Sequence, residues 1–87
     1  MSGQFTPGPW VVRGKQSVRG LHGEYIAKTN WLNGKENARL IAAAPELLDA
    51  LRRAVIALAF AAETLPVMQD AYEDVSAAIA KATGTQP

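Results

Sequence analysis

The sequence predicts an α+β fold in a single domain of 87 residues: a short amino-terminal antiparallel β-meander of two or three strands, then a kinked helix and an antiparallel carboxy-terminal helix. Three observations predict it. Residues 10–30 are β-branched and aromatic runs cut by glycines, a pattern that suits short strands joined by tight turns. Of the 16 alanines, 14 fall between positions 42 and 82, and alanine has the best intrinsic helix propensity. Pro45 and Pro66 punctuate that alanine-rich half, and proline fits a first helical turn but not an interior.

Taken in order, residues 1–9 read as an extended arm, because Pro7, Gly8 and Pro9 remove donors and disfavour helix. The meander follows over residues 10–30. Its runs are Trp10-Val11-Val12-Arg13, Ser17-Val18-Arg19 and residues 24–29, with turns at Gly14-Lys15 and at positions 20–23. In the third run Tyr25, Ala27 and Thr29 alternate with Ile26 and Lys28, so periodicity alone names no buried face.

A helix is expected over 33–63. Asn33 offers a side-chain oxygen at its start, with Glu36 three residues later, a capping-box-like arrangement. Pro45 should kink or restart this helix. Beyond it Leu47, Leu48, Leu51, Val55 and Leu58 recur at three- and four-residue spacing, as one buried stripe does. Pro66 should open a second helix over 66–83, with Met68, Ala71, Tyr72, Val75, Ala78, Ile79 and Ala82 as its stripe and Thr83-Gly84 as its end. The last residues, ending in Pro87, should fray.

With no cysteine there is no disulfide framework, thiolate cluster or cysteine nucleophile, and the single His22 makes no metal site alone. No Ser, Thr or Lys attacker is seen beside a base, and Asp70, Glu73 and Asp74 read as a solvated helix face. A non-enzyme without cofactors is therefore expected. The net charge of +1 argues against a generic nucleic-acid-coating protein, although residues 1–39 hold six basic against two acidic groups. The longest apolar run, nine residues from 54 to 62, is too short for a membrane helix of about 20 residues. The opening residues carry no secretory signal pattern, so a cytoplasmic protein is expected.

The 54–62 run is apolar all round a helix, and one neighbouring helix covers only one side. A small domain without staples has a thin stability margin. A homo-oligomer is the expected answer, with Ile56 and Phe60 at the subunit interface. In the basic half, Trp10 and Trp31 flank the sheet and Arg13, Lys15, Arg19 and Lys28 lie between them, an aromatic-cationic set that can stack a base and hold phosphate. The helix start at Asn33-Gly34-Lys35 can hold an anion. The candidate ligand-binding residues are Trp10, Arg13, Arg19, Trp31 and Lys35. The structural alternative is that both indoles cover the core from its edges.

Thr6-Pro7-Gly8-Pro9-Trp10 together with residues 37–48, Asn-Ala-Arg-Leu-Ile-Ala-Ala-Ala-Pro-Glu-Leu-Leu, resembles a widespread group of small phage and prophage proteins of unassigned biochemistry. The resemblance implies a phage-encoded accessory protein acting in the bacterial host cytoplasm. It brings no catalytic residues with it. The expected function is non-catalytic binding that counters a bacterial antiviral defence, by sequestering a nucleotide-like immune signal in a homo-oligomer. The alternatives are a protein-directed inhibitor or adaptor on a host enzyme or defence protein, and weak nucleic-acid binding through the basic half.

Overall fold

The computed structural model describes residues 5–85, so Met1 to Gln4 of the expected arm, and Gln86 and Pro87 of the expected frayed end, lie outside the described residues. The fold is α+β, with an antiparallel three-stranded sheet followed by three helices. Residues 5–47 form one compact unit and residues 48–85 the other.

In the first unit β1 (Trp10–Arg13), β2 (Ser17–Gly20) and β3 (Tyr25–Lys28) follow one another as a meander, in the spatial order β1-β2-β3. Gly14 and Gly23 supply the positive φ of 66° and 88° that the two turns need. The core of this unit lies between the sheet and α1 (Gly34–Ala42), which approaches all three strands. Val18 on the central strand and Ala38 on α1 are both fully excluded from solvent. A small side chain at Ala38 lets the helix approach the sheet closely. The arm closes one edge: the Trp10 indole N–H donates to the Thr6 carbonyl at 2.9 Å, and Phe5 stands edge-on to Trp10 at 6.0 Å. Gly8 abuts Pro45 so tightly that a Cβ there would lie 2.8 Å from the proline ring.

The expected helix over 33–63 is two helices. α1 ends at Ala42 and α2 runs from Ala44 to Thr64, with buried Pro45 in its first turn. Proline lacks the amide that would continue the α1 ladder, so the chain restarts rather than bends. The capping reading of Asn33 is corrected. Asn33 sits in the left-handed region at φ 56° and ψ 22° and makes no side-chain cap hydrogen bond. A side-chain cap needs an extended backbone to aim its oxygen at the first-turn amides, whereas asparagine tolerates the left-handed turn observed.

The second unit holds the rest of α2 and α3 (Met68–Thr83). α3 starts two residues after Pro66, because the chain first makes a tight turn in which Met68 N–H donates to the Leu65 carbonyl at 2.8 Å. Gly84, in the left-handed region, ends it. Leu51, Val55 and Leu58 on α2, and Met68, Ala71, Tyr72, Val75 and Ile79 on α3, are half-buried at the expected helical spacing, whereas Leu47, Ala78 and Ala82, expected on the same buried stripes, are exposed. Beyond Leu48, no described residue of this unit is buried.

Candidate functional site

The amino-terminal end of α1 forms one wall of an open groove of about 440 Å³, lined by Lys15, Gln16, Trp31, Gly34, Lys35 and Glu36. Its floor is a polar knot between three segments. Thr29 N–H donates to the Gln16 carbonyl at 2.9 Å, and the Thr29 hydroxyl donates to the Gly34 carbonyl at 2.7 Å. Gly34 is buried beneath them, and a Cβ there would collide with the Gln16 amide and press on the Thr29 hydroxyl. Glycine is therefore what allows α1 to begin so close to the β1–β2 turn. Replacing Thr29 with Val keeps the shape and removes the hydroxyl donor, so the unit should lose about 1 kcal/mol in denaturant unfolding; an unchanged midpoint would mean the knot carries nothing.

Above this floor Trp31 is 84% exposed, the most exposed large apolar side chain described. Lys15 and Lys35, also exposed, border the same groove. Because Asn33 does not cap α1 with its side chain, the first-turn amides add their positive helix-end potential beside Lys35. Glu36 is the one carboxylate of the lining. The arrangement sets two cations and an exposed aromatic ring beside the start of α1, which suits an anion attached to a flat ring.

The structure divides the five candidate ligand residues among three places. Trp31 and Lys35 share the groove, where Lys15, named in sequence only as part of the cationic set, joins them. Arg13 and Arg19 stand on the sheet, Arg19 with its guanidinium 5.1 Å from the centre of the Tyr25 ring. Trp10 is half-buried, its indole N–H donated to the Thr6 carbonyl and its ring edge-on to Phe5. His22 lies in the exposed β2–β3 turn, where its backbone N–H donates to the Glu24 carboxylate at 2.9 Å. The backbone amides of Glu24 itself and of His22 hold that carboxyl below the usual carboxylate range. Sequence reasoning missed Thr29 and Gln16, because their role comes from contacts across the β1–β2 turn, β3 and α1 that no local motif encodes.

Over residues 1–86 the chain matches the family described as Salmonella phage P22 protein Y8K6. The chain belongs to that family. No curated protein and no solved structure matches it. Membership of the phage P22 protein Y8K6 family makes this a small phage protein, which is the coarse content of the resemblance carried by the Pro-Gly-Pro-Trp arm and the Arg39 to Leu48 run. Among the described residues no helix is long and apolar enough to cross a membrane, and no three His, Asp or Glu side chains gather as a metal site.

Proposed function

We propose that this phage P22 Y8K6 family protein is a non-catalytic binding protein whose groove takes a nucleotide-like ligand. The observation that carries the reading is Trp31, 84% exposed, beside the same groove as Lys15 and Lys35. An indole left in water costs a small domain part of the apolar burial it needs, and a ligand base stacked on it recovers that area. The two lysines and the positive end of α1 answer the phosphate. In a phage-encoded protein, capture of a nucleotide-like signal of host antiviral defence is the role this chemistry serves. A homo-oligomer joined at Ile56 and Phe60, which are 60% and 70% exposed, is part of the same proposal.

Titration calorimetry of the whole chain against ATP, NAD, a cyclic dinucleotide and adenosine tests it. At least one phosphate-bearing ligand should bind and adenosine should not. Trp31→Ala should weaken binding by about tenfold or more, the usual worth of one base stacked on an aromatic side chain. The absence of heat and of any thermal shift with every ligand would overturn the reading, since a ligand that binds the folded chain must raise its stability.

A further inference from the structure

The sheet face turned away from Val18 has a chemistry of its own. Cross-strand register places Val11, Arg19 and Tyr25 in one row and Arg13, Ser17 and Lys28 in the next. Side chains alternate along a strand, so both rows lie opposite the core row of Val12, Val18 and Ala27. Regular alternation would send Tyr25, two residues before Ala27, to the core side. A register shift opposite Val18 and Arg19 inserts Ile26 as an extra residue in β3, and such a bulge re-aims the side chain beyond it. The Arg19 guanidinium 5.1 Å from the Tyr25 ring centre shows where the ring then points. The bulge thus delivers a ring that is 61% exposed onto a face whose charged members are all cations. Arg13 and Lys28 are exposed as well.

We infer that this face binds single-stranded nucleic acid. Arg13 and Lys28 flank Ser17 two strand spacings apart, about 10 Å, and Arg19 stands on the central strand in the neighbouring row, so three cations spread over one face can meet phosphates along a single strand. Arg19 covers one side of the Tyr25 ring and leaves the other for an unpaired base, which a duplex keeps stacked and an acidic peptide does not have. The net charge of +1 does not oppose this, because the cationic surplus is concentrated in residues 1–39. None of the groove-lining residues is used, so the inference stands apart from the nucleotide reading.

Fluorescence anisotropy of the full chain with labelled dT12, rU12 and a 12-base-pair duplex, between 50 and 200 mM salt, tests it. Both single strands should bind with a dissociation constant on the order of 10 μM at the lower salt, and the duplex at least about fivefold more weakly. Three phosphate contacts should give about a twentyfold loss across that salt range, which R13Q/K28Q should cut to about threefold. Tyr25→Ala should weaken binding at least about fivefold and Tyr25→Phe should not, while Trp31→Ala should leave it unchanged. Binding of one single strand alone supports the inference, and rT12 or dU12 then separates the sugar from the 5-methyl group as what is read. No anisotropy change at 50 mM, unaltered binding by R13Q/K28Q, or displacement by poly-glutamate as effective as by dT12 would overturn it.

Discussion

Val18→Asp should leave the amino-terminal unit unfolded. Val18 is fully excluded from solvent on the central strand, and with Ala38 it forms the buried apolar centre of that unit. No polar group in the adjoining register positions, Val12 and Ala27, can answer a carboxylate placed there. A buried charge without a partner costs several kcal/mol even after the surroundings relax. Small domains have little beyond that to lose, because they bury a smaller fraction of their surface. Val18→Ala, which removes two methyl groups and adds no charge, should cost about 2 kcal/mol and leave the fold intact. Hydrogen exchange separates the two outcomes. The aspartate variant should lose amide protection through β1, β2, β3 and α1, and the alanine variant should keep it with lowered protection. Native protection in the aspartate variant would show that the unit is held by something other than this centre.

β-branched runs between glycines marked two or three strands, and Pro45 marked a kink or restart of the helix, because both signals act on the backbone of the residues that carry them; the buried centre at Val18 and Ala38 was not read from sequence. The faces were not legible. Tyr25 reaches the open side through the extra residue Ile26, a device set by pairing with β2 that leaves no periodic trace in β3 itself. Asn33 was misread for a related reason: the same residue type serves a side-chain cap and a left-handed turn, and the tight start of α1 under Gln16 and Thr29 decided between them. Trp10 and Trp31 are equivalent in sequence. What separates them is the Thr6 carbonyl, four residues before Trp10, which accepts that indole N–H, while Trp31 stands 84% exposed. The candidate groove was half legible, since Trp31 and Lys35 belong to its lining while its floor depends on tertiary contacts.

Replacing Ile56 and Phe60 with Glu should convert an oligomeric protein to a single subunit, the result expected if the proposed self-association is right. Both residues lie on one stripe of α2, four apart, and both are largely exposed in the isolated chain. The same stripe carries Arg52 and Arg53 on its amino-terminal side and Glu63 on its carboxy-terminal side. A two-fold axis between the helices, at the level of Leu58, therefore sets Ile56 against Phe60 and the arginines of one copy against Glu63 of the other. Two antiparallel copies of α2 satisfy that exchange with one patch, as an isologous interface requires. Covering what remains exposed of the four apolar side chains contributes about 4–8 kcal/mol before the entropy cost of association is subtracted, so the pairing expected from this patch is a weak, reversible dimer. Sedimentation of the full chain over a concentration series should show reversible dimers, abolished in I56E/F60E. Register is tested separately: Arg53→Glu should weaken the dimer, and adding Glu63→Arg should restore it, because only an antiparallel pairing brings the two positions together. Wild-type protein that stays a single subunit up to millimolar concentration would overturn the proposed self-association. Dimers that survive I56E/F60E would move the interface elsewhere.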